Sequence, residues 1–304
     1  MSQELLRRQI PHCVVETDLP YPKYRGKVRD RYEMPDAMLL VTTDRISAFD
    51  RYLTCIPFKG EVLNLLSAWW FKQTQSIIAN HVLDLPSRNS MRVKKCKVLP
   101  VEVVVRGYLT GSTQTSIWTL YQKGERQFFS TTLPDGLKKN TALPQPILTP
   151  TSKSDIHDEP LTTSSLPQFI APEKWRYVEQ KALELFHFAA QRAASCGLIL
   201  VDTKFEFGED EQGNIILVDE CLTPDSSRYW KLETYAERLA AGQEPDSYDK
   251  EFIRLWYKQH CDPYRDKVLP EAPVELVESL AERYIEVYEK LSGTKFEVTE
   301  LHSA

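Results

Sequence analysis

The sequence lacks the features that mark several large classes of protein. None of its six cysteines is paired in a C-x-x-C spacing and its six histidines are scattered, so no zinc site is indicated. No run of 18 apolar residues occurs, and the first ten residues, MSQELLRRQI, contain no apolar signal-peptide core. Scattered cysteines in a chain of this length are typical of reduced thiols. We therefore expect a soluble protein of the reducing cytoplasm.

Positive charge is also in short supply. The 38 lysine and arginine residues are outnumbered by 43 aspartate and glutamate residues, which gives a net charge of −5. A protein that holds nucleic acid or an anionic membrane through a broad basic face has the opposite balance. We expect neither partner, although a local basic pocket for a small phosphorylated ligand is compatible with this composition. The acidic surface, without an evident exposed apolar helix, favours a monomer.

Apolar periodicity predicts strands and helices without strict alternation, which indicates an α+β protein. Short strands are predicted within residues 27–60 and 92–106. Helices are predicted at 61–78, from Ser112 to Gly124, from Pro172 to the residue before Gly197, and at 273–291. Residues 133–172 hold seven of the 19 prolines, which is typical of a long functional or mobile loop.

Residues 197–220 predict a β-hairpin with a charged face. GLILVDTKFEFG and NIILVDE are strand-like, and EDEQG between them is turn-like. Alternation places Asp202, Lys204 and Glu206 on one side of the strand. With the turn centred between residues 212 and 213, Glu206 lies opposite Asp219, and two like charges so placed repel. Mg²⁺ would remove that repulsion; the alternative is a solvent-exposed face on which Lys204 screens the acids.

Two further segments carry charges suited to anions. YRGKVRD places Lys27 and Arg29 on the same side of a strand beside a single glycine, which suits phosphate but is also typical of a basic turn. It is neither a Walker A loop nor the triple-glycine loop of kinases. The apolar strand in LPVEVVVRGYLTGS is interrupted by Glu102 and Arg106 and ends at Ser112. This pattern fits an anion site at a helix start or, equally, a buried ion pair.

Two polar segments complete the set of candidates. DECLTPDSSRYW holds a turn at residues 225–228 that is either a capped helix start or another site for an anion or a hydroxyl. His157 and Asp158 lie in the proline-rich loop, where a solvated pair is the simple interpretation. Each of these segments is ambiguous when it is taken alone.

In their order and wording, these segments resemble the SAICAR synthetase family. The resemblance is carried by GKVRD, TTDRISAFD, LPVEVVVRGYLTGS, TPTSKSDIHDEP, LILVDTKFEFG and ILVDECLTPDSSRYW, and it runs from about residue 20 to 292. The long central loop and the DECLTPDSSR motif are similar to those of the longer fungal-type form. The resemblance implies two α+β domains with an ATP site in the cleft between them, distantly similar to ATP-grasp and kinase-like folds.

The activity implied by the resemblance is that of an ATP-dependent ligase of purine biosynthesis. Such an enzyme joins the carboxylate of carboxyaminoimidazole ribonucleotide (CAIR) to the amine of L-aspartate and forms SAICAR, ADP and phosphate, through an acyl phosphate. ATP, CAIR and L-aspartate are then the partners, and Mg²⁺ is the cofactor. A small-molecule kinase is the first alternative, but no H-R-D-type catalytic loop supports it. A nucleotide- or RNA-binding module is the second, and the net charge argues against it.

The resemblance also assigns roles to individual residues. The catalytic group is Lys204, Asp202 and Asp219, and the metal ligands are Glu206 and Asp219. The ATP-binding group is Gly26, Lys27, Val28, Arg29, Glu102 and Val104. The CAIR-binding group is Ser47, Asp50, Arg106, Ser112, Asp225, Ser227 and Arg228. The group that recognises aspartate is Lys153, His157 and Asp158.

We expect these residues to be spread over three segments of the chain. An N-terminal α+β domain at 1–105 carries the phosphate-binding loop. A central α+β domain at 106–250 carries the metal hairpin and the long proline-rich loop. A C-terminal helical segment at 251–304 packs back on the body.

Overall fold

The computed structural model describes residues 2–153 and 159–298. The helices in these ranges are α1 (Gln3–Gln9), α2 (Lys59–Gln73), α3 (Ile117–Gln122), α4 (Pro172–Ser195), α5 (Leu232–Ala240), α6 (Glu251–His260) and α7 (Val274–Ser292). The strands are β1 (Lys23–Arg25), β2 (Arg29–Glu33), β3 (Met38–Thr42), β4 (Arg45–Ala48), β5 (Arg51–Cys55), β6 (Val82–Ser87), β7 (Ser90–Val93), β8 (Lys97–Leu109), β9 (Gln127–Phe128), β10 (Thr131–Thr132), β11 (Thr141–Leu148), β12 (Thr151–Ser152), β13 (Leu198–Glu209), β14 (Ile215–Val218) and β15 (Ser227–Lys231).

The chain divides into two units. The first comprises Met1–Trp69, Val82–Lys95 and Tyr248–Ala304, and the second comprises Trp70–His81 and Cys96–Ser247. This division differs from the ranges expected from the sequence. A boundary at 105/106 falls inside the continuous strand β8, and the C-terminal helices belong to the first unit.

The first unit is built on an antiparallel sheet in the order β1-β2-β3-β7-β6, with β4 and β5 forming a separate hairpin. One face of the sheet buries a cluster around Tyr32, Leu39 and Val41. Helix α7 packs against α1 and α6. The apolar stripe predicted for α7 is confirmed, because the following side chains are buried: Leu276, Val277, Leu280, Tyr284, Val287, Tyr288 and Leu291.

The second unit is built on a sheet in the order β11-β8-β13-β14, to which β12 adds on β8 and β15 adds on β13. Helix α4 packs against β13 and β8. Its predicted apolar face is confirmed, since the buried side chains include Trp175, Val178, Ala182, Leu185, Phe186 and Ala189. Pro172 is its first residue, as expected. The core strands β8 and β13 therefore have an apolar helix on one side, and their charged residues use the other.

Two predictions about this unit are wrong in detail. Helix α3 begins at Ile117 and is capped by Ser116, whose hydroxyl accepts from the Thr119 amide at 3.3 Å; Ser112 is not the cap. The segment 133–172 is not all loop, because β11 and β12 both pair with β8. Within the described ranges, no helix combines the length and the apolar character needed to cross a bilayer.

Candidate active site

The two central strands of the second unit bring their charged residues onto one side. β8 and β13 run antiparallel, with Arg106 opposite Asp202 and Glu102 opposite Glu206. Lys204 lies between the two acids on β13, and residues two apart on a strand share a side. The resulting charged face consists of Glu102, Arg106, Asp202, Lys204 and Glu206. The alternation predicted for β13 is consistent with these contacts, and β8 completes the face.

Lys204 holds two opposed carboxylates together. Its Nζ donates to Glu102 Oε1 at 2.7 Å and to Glu206 Oε1 at 2.8 Å. Both glutamates are buried, and Val104 is the residue opposite Lys204 on β8. The ammonium of Lys153 bonds to the second oxygen of Glu206. Like charges directly across a ladder repel, so these lysines supply the compensation that the pair Glu102 and Glu206 requires.

The ionisation of this group follows from its neighbours. Burial disfavours the Lys204 ammonium, but the carboxylates of Glu206, Glu102 and Asp219 outweigh burial and raise the pKa of Lys204. Burial and the charge of Asp219 act to raise the pKa of Glu206, yet Lys204 and Lys153 hold it below its ordinary value. Lys204 is therefore a fixed, fully protonated cation among carboxylates at neutral pH.

The hairpin β13–β14 is confirmed, but its register differs from the prediction by one residue. Glu206 pairs with Val218 and Phe207 with Leu217, so Asp219 is not the residue opposite Glu206. The cause is a five-residue loop at 210–214, in which the Asp210 carboxylate accepts from two loop amides. Asp219 follows β14 with a left-handed backbone, φ 69°. Its charge still acts on both Lys204 and Glu206.

A second cluster surrounds Asp202. Its Oδ2 accepts from Arg106 Nη1 at 3.1 Å and also from Arg228 Nη1. Arg228 lies on β15, which pairs with the edge of β13 that faces away from β8. Arg106 donates from Nε to the Thr149 hydroxyl at 2.8 Å. Burial and the charge of Arg228 lower the pKa of Arg106, and Asp202 opposes them. One carboxylate thus holds two arginines side by side, which is an arrangement suited to a doubly charged anion.

The segment that follows β8 passes close to this arginine pair. Gly111 has φ 113°, and a Cβ at this position would come within 2.5 Å of Ser116 Cβ and 3.3 Å of Arg228 Nη2. Only glycine fits there, so Gly111 is a residue of the candidate site that the sequence interpretation did not name. Ser112 is the next residue, on the same segment.

The turn at 225–228 divides its predicted residues between two sides of the sheet. Ser227 Oγ lies 2.8 Å from Thr203 Oγ1, and Thr203 alternates with the charged residues of β13. The Ser227 hydroxyl therefore lies on the side of the sheet opposite Lys204, whereas Arg228 bonds to Asp202 on the Lys204 side. Asp225 is buried, and its amide donates to the Thr223 hydroxyl at 3.3 Å.

In the first unit, the predicted phosphate loop is a tight turn between β1 and β2. The Gly26 amide donates to the Arg29 carbonyl at 2.8 Å, and a Cβ on Gly26 would meet that oxygen at 2.9 Å. The glycine therefore permits a close approach of backbone to backbone. The other turn residues, Lys27 and Val28, lie between these two positions.

Arg45 organises this turn, and the sequence interpretation missed it. The side chain is buried, and its Nη2 donates to the Gly26 carbonyl at 3.0 Å and to Asp30 Oδ1 at 2.8 Å. Its Nε donates to the Lys27 carbonyl at 3.2 Å, and the Thr43 hydroxyl donates to the Val28 carbonyl. The carbonyls of the turn are therefore bound by Arg45 and Thr43. The TTDRISAFD string contains both residues, and the arginine directly after an aspartate in it was the available signal.

The β4–β5 hairpin carries two more predicted residues. Its two-residue turn is formed by Phe49 and Asp50, both with positive φ, as in a type I′ turn. Asp50 Oδ1 accepts from Lys27 Nζ at 2.6 Å, and more than half of each side chain is exposed. Ser47 is buried on β4. The structure thus brings a predicted ATP-binding residue, Lys27, together with a predicted CAIR-binding residue, Asp50.

The remaining predicted residues concern aspartate recognition and the metal. His157 and Asp158 lie outside the described residues. Within the part of the chain that the structure describes, no group of three or more His, Cys, Asp or Glu side chains is arranged to hold a metal ion. Magnesium is commonly bound by one or two carboxylates together with phosphate oxygens and water. Glu206 and Asp219, which influence each other electrostatically, fit that smaller requirement.

Comparison with known proteins gives a consistent result. The model of the family described as SAICAR synthetase matches residues 22–271. The phosphoribosylaminoimidazole-succinocarboxamide synthase of Legionella pneumophila (strain Lens) is 54% identical, over 94% of this chain and 93% of that protein. The chloroplastic synthase of Arabidopsis thaliana is 50% identical, over 96% of this chain and 73% of that protein.

A solved structure agrees in fold. The SAICAR synthase of Saccharomyces cerevisiae, in complex with SAICAR, is similar with a TM-score of 0.80 and 36% identity, over 94% of this chain and 100% of that one. The fungal-type form expected from the central loop is not supported. The bacterial and plant relatives described above are at least 50% identical to this chain, whereas the yeast enzyme is 36% identical.

Proposed function

The chain belongs to the SAICAR synthetase family, and we propose that it is the ATP-dependent ligase of purine biosynthesis that joins the CAIR carboxylate to the amine of L-aspartate. The observation that carries the proposal is the position of Lys204, fixed between Glu102 and Glu206 beside two arginines held by Asp202. A cytoplasmic location and a monomeric state belong to the same proposal.

The chemistry requires an activated carboxylate. A carboxylate is a poor acyl donor, because its leaving group would be an oxide ion. In the proposed reaction a carboxylate oxygen of CAIR attacks the γ-phosphorus of ATP and ADP leaves. The aspartate amine then attacks the acyl carbon, loses a proton and displaces phosphate. Splitting the reaction in this way replaces one difficult step with two easier ones.

Lys204 would stabilise the phosphoryl group during transfer. Its protonated state is assured by the three carboxylates that raise its pKa, and a fixed ammonium needs no reorganisation as charge develops. Glu206 and Asp219 would hold Mg²⁺. When bound, Mg²⁺ neutralises negative charge on the β- and γ-phosphate oxygens. Glu102 and the backbone near Val104 would contact the adenine.

The arginine pair would bind the phosphate of CAIR. Asp202 fixes the orientation of Arg106 and Arg228, and two guanidinium groups can each donate two hydrogen bonds to a phosphate. Ser112 would join them, since the glycine before it passes beside Arg228. Asp202 is in this proposal a positioning residue, because one of its oxygens, Oδ2, accepts from both arginines.

The other CAIR contacts are proposed from the family resemblance. Asp225 would accept from the ribose hydroxyls, with Ser227 supporting that turn from the far side of the sheet. Ser47 and Asp50 would lie near the imidazole.

The turn of the first unit would hold the ATP phosphates. Its Gly26 amide and carbonyl are engaged within the turn and with Arg45, so the exposed cation of Lys27 supplies the charge. Val28 and Arg29 complete the group. Lys153, His157 and Asp158 would recognise aspartate; Lys153 has the weakest support, because its ammonium is bonded to Glu206.

The decisive experiment measures phosphate release from ATP and Mg²⁺ with CAIR, with and without L-aspartate, while the imidazole product is followed optically. Phosphate release that needs both substrates, with an equal amount of amide product, is the expected result. Release of ADP with a phosphorylated CAIR that never forms the amide would instead establish a kinase. Absence of release under every combination would contradict the proposal.

A further inference from the structure

Two half-buried cysteines of the first unit lie against each other. Cys13 is in the N-terminal segment, and Cys55 is the last residue of β5. Asp44 bonds to the residue after each of them: its amide donates to the Val14 carbonyl at 2.8 Å, and its carbonyl accepts from the Ile56 amide at 2.9 Å. The backbone therefore brings the two thiols to one place, where they are hydrogen-bonded to each other.

We propose that Cys13 and Cys55 are a reversible redox modification site, which closes to a disulfide by exchange with a low-molecular-weight disulfide such as oxidised glutathione. Neither residue takes part in the proposed ligase reaction. The inference therefore stands or fails independently of that function.

The exchange balances in two steps. The thiolate of Cys55 attacks one sulfur of oxidised glutathione and breaks its S–S bond, so that a mixed disulfide forms and one glutathione thiolate leaves. Cys13 then gives up its proton, and its sulfur attacks the Cys55 sulfur and expels the second glutathione thiolate. The two cysteines are oxidised to one disulfide, and oxidised glutathione is reduced to two thiols, which take up the two protons.

The surroundings favour Cys55 as the attacking group. The hydrogen bond from the Cys13 thiol lowers the pKa of Cys55, against the opposing effects of burial and of the Asp44 carboxylate; the Tyr52 hydroxyl also bonds to Cys55. The same hydrogen bond, with burial, raises the pKa of Cys13. Thiolate character and access set the rate of thiol–disulfide exchange, and both sulfurs belong to partly exposed residues.

The test uses the full chain, incubated at a series of ratios of oxidised to reduced glutathione, quenched with acid, alkylated and digested with trypsin. The expected product joins the tryptic peptides 9–23 and 52–59, which hold Cys13 and Cys55. It should accumulate as the ratio becomes more oxidising, and dithiothreitol should remove it. The proposal is overturned if both thiols remain as open to alkylation as Cys261, a half-buried cysteine of the same unit.

Single variants separate the two steps. Cys13→Ser should trap glutathione on Cys55, because the resolving thiol is gone, whereas Cys55→Ser should leave Cys13 largely unmodified. Cys261→Ser is the matched control and should retain the linked peptide. Glutathione addition to Cys13 as fast as to Cys55 would contradict the assigned roles. If a variant fails to fold, the peptide map of the unaltered chain still decides whether the disulfide forms.

Discussion

Two lysines that are proposed to meet ATP phosphates differ in how the protein holds them. Lys204 is bonded to two buried glutamates on neighbouring strands, and its own side chain is about one-third exposed, at 32%. Lys27 is bonded to Asp50 between two turns, and its side chain is 63% exposed. The first ion pair is fixed by the sheet, whereas the second is in water and is screened by it.

The difference teaches which charges serve stability as well as chemistry. Removing one partner from a buried ionic group leaves the others without compensation, which is strongly destabilising. An exposed pair contributes little to the free energy of unfolding. A substitution in the charged face of the second unit should therefore reduce both stability and activity. A substitution at Lys27 in the turn of the first unit should reduce activity with little effect on stability.

The largest effect is expected for Lys204→Met. Glu102, Glu206 and Asp219 would lose their shared cation, so turnover should fall by about 10³-fold. The free energy of unfolding at neutral pH should fall by about 2 kcal/mol, less than for a fully buried pair because part of the side chain reaches water. Urea unfolding of Lys27→Met provides the comparison, with an expected change below about 1 kcal/mol. Equal losses of stability in the two variants would show that the Lys204 and Lys27 ion pairs contribute equally to the free energy of unfolding.

Asp219→Asn should separate catalysis from stability at a residue outside the charged face whose charge acts on Lys204 and Glu206. Asparagine tolerates the left-handed backbone at this position, so the fold should be retained to within about 1 kcal/mol. Turnover should fall by about 10²–10³-fold and its dependence on Mg²⁺ concentration should flatten. Glu209→Gln, at the end of β13 and bonded to Lys174, is a control that should keep normal turnover. Normal turnover in Asp219→Asn would exclude this residue from the metal proposal.

The first unit also has a buried carboxylate, and this one accepts hydrogen bonds from backbone amides. Asp44 accepts from the Val14 amide at 2.7 Å and from the Gly60 amide at 2.8 Å, and burial nevertheless raises its pKa to about 6. The folded state therefore keeps a proton that the unfolded chain loses between about pH 4 and pH 6. Stability from this group is present at low pH and is lost as the pH rises through that window.

Comparison with Asp44→Asn isolates this contribution. The stability advantage of the unaltered chain over the variant should grow by about 2–3 kcal/mol between pH 7 and pH 4, as measured by urea unfolding at each pH. Glu206, whose pKa is lowered, contributes in the opposite direction, but it is common to both proteins. A difference that does not change with pH would show that folding leaves the pKa of Asp44 unchanged.

The smallest of these effects is expected for Arg228→Lys. Lysine keeps the charge beside Asp202 but loses the planar, two-armed guanidinium, so KM for CAIR should rise by about tenfold. KM for ATP should change less than about twofold. Arg238→Lys, on α5 in the same unit, is a control in which neither value should change. Equal increases for both substrates would contradict the assignment of Arg228 to CAIR.

The sequence by itself determined the features that depend on local periodicity and on short sequence motifs. The buried stripes of α4 and α7 follow a repeat near 3.6 residues, and the hairpin β13–β14 is marked by its turn-like residues. The order of the motifs identified the family, and the resemblance supplied the site residues that we propose. These signals are local because neighbouring positions on one helix or strand share a face whatever the rest of the chain does.

Only the tertiary structure decided how distant residues meet. Lys204 and Glu102 are 102 positions apart, and the register between β8 and β13 makes Glu102, rather than Asp219, the acid opposite Glu206. The bonds of Arg45 to the turn carbonyls depend in the same way on pairings across the chain. Such pairings are set by the packing of whole sheets, so a shift of one residue, as in the hairpin, leaves the sequence pattern almost unchanged and yet changes every opposing pair.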